Sequence, residues 1–313
     1  YCLRLWGEKE HNARDEMEGP AINRLDLSEI YLNLRSLGED PPLMDWLTAP
    51  PEKSLSRAKK SLVSIGALSA SNQISEKGLE ISRFPLNPRL GAALLMSKEK
   101  GCLPALALSL ALIEDRSPII HKEFNAEIVE SFLSTLNVEF NLDVTSDLRI
   151  LLGAWAYARN EDFSVDRCKY VGIHAHRCKD AERLALRFCK IAGLKEFSFQ
   201  FPEIRDLSEV MLIAFPHHLA RVKNRGTMLY ESIEGFNMHV GKYSEVQSAD
   251  WVIALNIIEK PLKGKIGLEM QFVTEVETET IKKVLNTKIE KREEVLLHPS
   301  TRMVIKRNYN QLG

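Results

Sequence analysis

The strongest constraint on the fold is an apolar segment that lies downstream of prolines that no continuous helix could include. Residues 103–113 carry leucine, alanine or isoleucine at nearly every position, so a helix there must be buried on all sides. Gly101 separates this segment from a second apolar run at 90–95, which predicts two helices joined by a short turn. Asn87 and Pro88 are suited to cap and begin the first of them. The sequence therefore predicts a helical domain built around residues 103–113.

Size and composition favour several domains and a reduced, water-soluble environment. The chain has 313 residues, 44% of them hydrophobic, and a net charge of -1, which suits two to four domains. No apolar run is long enough to cross a membrane and no signal-like start is visible, so we expect a cytoplasmic protein without a membrane partner. The five cysteines form no C-x-x-C pair, and we expect free thiols.

Three successive patterns give the domain organisation. Helices at 27–38 and 52–65, a short β wing at 66–74 and a helix ending at 82 indicate a winged helix. Residues from 88 to about 219 are helical almost throughout, with long helices predicted at 166–192 and 207–222, and Pro216 should kink the second or split it in two. Beyond 226 the period changes to two, which is typical of strands, with one helix at 274–285 and a last hairpin at 290–309. The predicted fold class is α+β multidomain: a winged helix, an α-helical bundle and a small β-barrel.

The chain carries, in this order, Asp-Leu-Ser, Leu-Gly, Trp-Leu-x-x-Pro-Pro, Ile-Gly-Ala-Leu, Pro-Leu-Asn-Pro-Arg-Leu and Gly-Cys-Leu-x-Ala-Leu at residues 26–28, 37–38, 46–51, 65–68, 85–90 and 101–106. Together these motifs resemble the region that follows the motor domains of DEAH-box helicases. Within that superfamily the chain resembles the bacterial HrpB type of ATP-dependent helicase. The HrpB type is indicated by residues 1–6, 147–151, 214–221 and 249–254.

The resemblance implies a domain order and a function. Residues 1–24 would end the second RecA-like motor domain and link it to a winged helix at 25–87. A ratchet-like helical bundle at 88–225 and an OB-like barrel at 226–313 would follow. The intact protein would use ATP and magnesium to move along single-stranded nucleic acid, with RNA favoured over DNA, and this region would also contact its own RecA-like motor domains.

The chain itself lacks the residues that ATP hydrolysis requires. A phosphate-binding loop ends in Gly-Lys-Ser/Thr, but Gly241 and Lys242 are followed by Tyr243, and there is no Asp-Glu-Ala-His sequence. His174 and His176 are two residues apart on a predicted helix, which favours surface histidines over a zinc site. We therefore predict no catalytic, cofactor-binding or metal-binding residues in this chain.

Basic residues provide the main candidate binding surface. Between residues 167 and 225 the chain has twelve Lys and Arg against six Asp and Glu, an excess of six positive charges. Four of them recur at spacings of four, four and three residues and would form one stripe on the predicted helix at 166–192: Lys179, Arg183, Arg187 and Lys190. Such a stripe could neutralise successive phosphates, although a solvated helix face would give the same pattern.

A second basic cluster follows the bundle, at Arg221, Lys223 and Arg225. It could clamp a nucleic-acid backbone, or it could be an interdomain linker. The aromatic residues Phe84, Trp155 and Trp251 could stack on bases, but side chains of this kind are more often part of the core.

Two other functions fit parts of the sequence. The region could be a regulatory module that docks a protein partner through the OB-like domain. It could also be a free-standing winged-helix DNA binder, but the predicted helix at 52–65 carries Lys53, Arg57, Lys59 and Lys60 without an Asn or Gln to read bases.

Overall fold

The computed structural model describes residue 3 and residues 5–12, 20–114, 117–135, 145–262, 265–286, 289–297 and 304–312. Much of the segment predicted to end a motor domain, including residues 13–19, lies outside this part of the chain. The chain divides into two compact units, Tyr1–Gly91 and Ala92–Gly313. None of the described helices combines the length and apolarity needed to cross a bilayer.

The first unit has the helices and wing that its sequence predicts. Asp26 Oδ1 accepts hydrogen bonds at 2.9 Å from the backbone N–H and at 2.7 Å from the hydroxyl of Ser28, the first residue of helix α2 (Ser28–Ser36). Leu32 from α2 and Leu62 from α3 are fully buried in the core. The helices are α1 Glu8–Asn12, α2 Ser28–Ser36, α3 Glu52–Ser64 and α4 Glu76–Ile81, with 3-10 turns at Ala21–Asn23 and Pro41–Leu43.

The wing is a minimal β structure held by one turn residue. Leu68 and Ile74 form a single antiparallel bridge. Asn72, between them, has φ 66°, a left-handed conformation that asparagine tolerates better than most residues. Its side chain accepts a hydrogen bond from the Tyr31 hydroxyl at 2.9 Å and donates one to Asp40 Oδ1 at 2.9 Å. The wing is thereby attached to the helices of the same unit.

The helical part of the second unit is built around the predicted apolar helix, α6. Nine of its residues between Leu103 and Leu112 are buried, and α10 and α8 pack against it. Asn87 Oδ1 accepts the Arg89 N–H at 3.0 Å at the start of α5, as its position before Pro88 predicts. The helices are α5 Pro88–Glu99, α6 Leu103–Glu114, α7 Ala126–Thr135, α8 Asp147–Asn160, α9 Val165–Tyr170, α10 Ala175–Ile191 and α11 Ile204–Ala214.

The prediction of one helix over 166–192 is wrong because the chain breaks at Gly172. This glycine has φ 73°, and a Cβ atom there would lie 2.4 Å from the backbone of Glu123 and Phe124. Only glycine accepts both the left-handed backbone and the close approach. The segment is therefore two helices, α9 and α10, and the basic stripe lies on α10.

The helix predicted over 207–222 is interrupted at Pro216, which agrees with the expected split, but its second half is not helical. Helix α11 ends at Ala214, Pro216–His218 is a 3-10 turn, and Leu219–Asn224 is strand β1. Proline removes the N–H that a continuing helix needs. The barrel consequently begins seven residues before residue 226.

The five strands from β1 to β5 form a closed barrel, which confirms the predicted small β domain. The strand order is β1-β2-β3-β5-β4, and β4 pairs with β1 to close it. All neighbours are antiparallel except β3 and β5, which are parallel. This mixed five-stranded closure is consistent with an OB-like barrel. The other strands and the following helix are β2 Leu229–Ser232, β3 Asn237–Val240, β4 Trp251–Leu262, β5 Lys265–Glu275 and α12 Thr278–Leu285.

The last hairpin is present but is separate from the barrel. Strands β6 Ile289–Leu297 and β7 Val304–Leu312 pair only with each other in a two-stranded antiparallel sheet, and the predicted turn at 298–301 lies outside the described residues. The barrel is closed without this hairpin, because β1 pairs with β4 and leaves no free strand edge.

Candidate nucleic-acid interface

The basic stripe lies on the solvent-facing side of α10. Its four members, Lys179, Arg183, Arg187 and Lys190, are all exposed. The opposite side of the helix is buried and carries Ala175, Cys178, Ala181, Ala185, Phe188 and Cys189. Spacings of four, four and three keep the cations on one side because the helix turns every 3.6 residues.

The stripe carries positive charge that is only partly neutralised. Arg183 Nη1 lies 3.1 Å from Asp180 Oδ1, and both side chains are about two-thirds exposed, which makes the pair weak. Within the described part of the chain, no carboxylate ion-pairs with Lys179, Arg187 or Lys190. The helix therefore presents three or four cations that an external anion could approach.

The second basic cluster is organised differently, because β1 places its cations beside acids. Lys223 Nζ bonds Glu231 Oε1 at 2.8 Å, and Arg225 bonds Asp250 and, at 2.8 Å, the Ser248 carbonyl. The Arg221 guanidinium lies 5.6 Å from the centroid of the Trp251 ring. These pairings reduce the charge available to a phosphate, so this cluster is the weaker candidate of the two.

The candidate aromatic residues divide between core and barrel surface. Phe84 and Trp155 are 3% and 1% exposed, so neither is accessible for stacking. The Trp155 indole donates to Glu182 Oε2 at 2.9 Å. Trp251 is half-buried beneath Arg221.

The histidines have local structural roles. His174 is the N-cap of α10, where its ring accepts the Arg177 N–H at 3.4 Å. His218 Nδ1 is 2.9 Å from the Ala254 carbonyl, and its ring stacks on Phe215. In the described residues, no three His, Cys, Asp or Glu side chains are grouped as metal ligands.

A cavity of about 780 Å³ lies between the helical part and the barrel of the second unit. Sequence reasoning missed it, since its walls come from segments far apart in the chain, at 113, 117–124, 147–151, 241–244, 256–260 and 269–272. At its edge the rings of His121 and Tyr243 are stacked, with centroids 4.3 Å apart and planes 6° apart. Lys242 Nζ lies 5.4 Å from the Tyr243 ring centroid.

Asp147 holds the barrel side of this cavity in place. Its Oδ1 accepts the Ser244 hydroxyl at 2.8 Å and the Glu245 N–H at 2.9 Å, and its Oδ2 accepts the Val273 N–H at 2.7 Å. Burial raises the pKa of Asp147, and these three hydrogen bonds oppose that rise. Burial also lowers the pKa of His121, and the charge of Asp147 opposes that shift.

The residues before α8 extend the same attachment. Ser146 bridges Thr274 in antiparallel fashion, and their hydroxyl oxygens are 2.7 Å apart. The Glu275 N–H donates to the Thr145 carbonyl at 2.9 Å. The start of α8 is thereby bonded along the last residues of β5, which fixes one wall of the cavity to the other.

This architecture, helices followed by a closed five-stranded barrel, is shared with part of solved bacterial helicase structures. Two of the solved structures that match are crystal structures of Escherichia coli HrpB, one described as a DExH-box NTPase and one as a DEAH/RHA helicase. Their TM-scores are 0.66 and 0.64 at 16% identity, and each match covers 98% of this chain and 32% of the HrpB chain. The resemblance drawn from the sequence motifs is therefore confirmed.

Sequence comparison gives the same class over a shorter length. The chain is 32% identical over 133 residues to the probable ATP-dependent RNA helicase DHR1 of Saccharomyces cerevisiae, covering 42% of this chain and 10% of DHR1. It is 26% identical over 125 residues to the ATP-dependent RNA helicase HrpA homolog of Haemophilus influenzae, covering 37% and 10%. The chain thus spans a small part of the length of these relatives. No family model matches it.

Proposed function

We propose that this chain is the part of an ATP-dependent DEAH-box helicase that grips single-stranded RNA behind the motor domains. The observation that carries the proposal is the α10 stripe: four exposed cations on one helix face, three of them without an acidic partner in the described part of the chain. The relatives named RNA helicases support RNA as the polymer.

The proposed mechanism is electrostatic grip. Lysine and arginine side chains hold phosphate oxygens without reading the base sequence, which suits a protein that must move along any strand. The stripe runs from Lys179 to Lys190, about three turns of helix, so its cations can meet successive phosphates. The barrel cluster at Arg221, Lys223 and Arg225 would add a weaker contact, because two of its members are already paired.

ATP and magnesium are implied for the intact protein, but the residues of this chain do not fit them. The only described Gly-Lys pair, Gly241 and Lys242, leads into the exposed Tyr243 rather than into a Ser or Thr that could hold magnesium. It is followed by no helix that could direct backbone N–H groups at a phosphate. We therefore assign nucleotide hydrolysis to motor domains of the intact protein and no step of it to these residues.

The test is binding of a fluorescent single-stranded RNA to the 313-residue chain, measured by anisotropy over a range of salt concentrations. Reversing two charges together, Arg183→Glu and Arg187→Glu, should weaken binding roughly tenfold or more at low salt. The slope of log affinity against log salt should fall in magnitude by about 1.4, since each contact to a single strand contributes about 0.7.

A control with the same change in net charge is Lys60→Glu with Lys169→Glu, at exposed positions on α3 and α9. This control should retain the affinity and the salt slope of the unmodified chain. Equal losses of RNA affinity in the two variants would mean that the net charge of the chain, and not the position of the stripe, determines binding. Complete absence of RNA binding at low salt would refute the proposed function and favour a protein-docking module.

A further inference from the structure

We infer that the cavity beside Tyr243 receives one base of the bound strand, stacked on the Tyr243 ring. The inference rests on the proposed function and names a site that the basic stripe does not include. Its volume, about 780 Å³, is within the usual range for small-ligand pockets and leaves room for a nucleotide.

Tyr243 offers the stacking surface. One side of its ring is covered by His121, whose centroid is 4.3 Å away in a nearly parallel plane, yet the tyrosine remains 55% exposed. A base placed on the remaining ring area would continue an existing stack. Base–aromatic stacking tolerates any base, which is consistent with a protein that does not read sequence.

Polar groups of the cavity match the other parts of a nucleotide. Asn256 and Gln271, which share a hydrogen bond of 3.3 Å, line the β4–β5 wall and present amide donors and acceptors of the kind that base edges bond. Lys242 Nζ lies over the Tyr243 ring, 5.4 Å from its centroid, so a base that stacks there would displace this ammonium toward the phosphate of the same nucleotide.

The site is also built on a fixed support. Asp147 accepts three hydrogen bonds that hold Ser244, Glu245 and Val273 around the cavity. Phe272, which lines the cavity, has φ 54° within strand β5, a conformation rare for a bulky residue. Such backbone outliers are concentrated at functional sites. Rigid positioning of this kind favours a defined occupant over adventitious contact.

The first test compares ring and non-ring variants of Tyr243 in RNA binding by the full chain. Tyr243→Leu should lose roughly tenfold in affinity, the scale of one stacked base, and should leave the salt slope unchanged. Tyr243→Phe should bind as the unmodified chain does. The matched control is Tyr170→Leu, at an exposed tyrosine on α9, which should have no effect.

The second test is photocrosslinking with an oligonucleotide that contains 4-thiouridine. Adducts are expected in peptides that contain His121 or Tyr243. If RNA binds and responds to the Arg183 and Arg187 reversals, but Tyr243→Leu binds normally and adducts occur only on α10, the base site is refuted while the proposed function stands. If no RNA binds at low salt, both are refuted.

Free nucleotides distinguish a strand site from a nucleotide-effector site. AMP and UMP alone should bind the chain far more weakly than the oligonucleotide, because they lack the phosphates that the stripe holds. A mononucleotide that binds as tightly as the oligonucleotide, and is lost in Tyr243→Leu, would overturn the assignment to a strand.

Discussion

At the scale of single residues, Phe272 is the clearest case of a conformation maintained by its surroundings. Its φ of 54° lies in the left-handed region, which costs a residue with a Cβ about 1–2 kcal/mol relative to the right-handed one. The next residue, Val273, donates its N–H to Asp147 Oδ2 at 2.7 Å and lies in the barrel core with 0% exposure. The hydrogen bond and the buried neighbour hold the backbone in this state.

This geometry predicts a reversal of the usual order of stability of alanine and glycine. At position 272, Phe272→Gly should be more stable to unfolding than Phe272→Ala by about 1 kcal/mol, since glycine adopts positive φ freely. Both variants lose the ring, so their difference isolates the backbone. Urea unfolding measures it, and Gln271→Gly against Gln271→Ala in the same strand is the control. At position 271 the alanine variant should be more stable than the glycine variant by about 0.5–1 kcal/mol. If the same residue gave the more stable variant at both positions, the explanation from the backbone conformation would be contradicted.

At the scale of elements, the first residue of α8 fastens a helix to two parts of the barrel. Asp147 bonds the loop at 244–245 and strand β5, while Ser146 and Thr145 bond Thr274 and Glu275. A carboxylate in the first turn of a helix also interacts favourably with the helix dipole. Because the acceptor serves three donors, its removal leaves partly buried N–H groups without a partner.

Asp147→Ala should therefore lower the free energy of unfolding by about 1–3 kcal/mol, the cost of buried donors left unsatisfied. Asp166→Ala, in the exposed first turn of α9, removes the same side chain and should cost less than about 1 kcal/mol. Chemical denaturation of both variants measures the two values. A similar loss in both would mean that the helix dipole, and not the barrel attachment, accounts for the effect.

The elements differ in how far their sequence alone predicts them. Caps and periodicity suffice for α5, where Asn87 accepts the N–H group expected of it at 3.0 Å. At the start of α4, Ser75 accepts the Gly78 N–H at 2.9 Å in the same way. The same periodicity gives the exposed stripe on α10. It cannot reveal the break at Gly172, because the reason is the backbone of Glu123 and Phe124, about fifty residues earlier in the chain. The Tyr243 cavity is unpredictable for the same reason, since segments distant in sequence form it.

At the scale of the whole molecule, the buried thiols link stability to pH. Burial raises the pKa of Cys178 and of Cys189 to about 12, and that of Cys102 to about 11, from 9.0. All three are at most 5% exposed in the helical part of the second unit. Between pH 9 and these values the unfolded chain releases the thiol protons while the folded chain retains them. The contribution of these protonated thiols to the free energy of unfolding is therefore fully present below pH 9, and it is lost as the pH rises from 9 toward 11–12.

Each buried thiol should lower the free energy of unfolding by roughly 1 kcal/mol between pH 8 and pH 10. Burial also raises the pKa values of three tyrosines, Tyr31, Tyr157 and Tyr230, and these act in the same direction at higher pH.

The thiol contribution must therefore be isolated by comparing variants. Cys178→Ala, unfolded with urea under a non-thiol reductant, should lose roughly 1 kcal/mol less over this interval than the unmodified chain, because one titrating group has been removed. Val171→Ala removes volume from a buried site without removing a thiol, and it should follow the pH profile of the unmodified chain with a constant offset. Parallel profiles for Cys178→Ala and the unmodified chain would mean that this thiol ionises equally in the folded and unfolded states, which its complete burial contradicts.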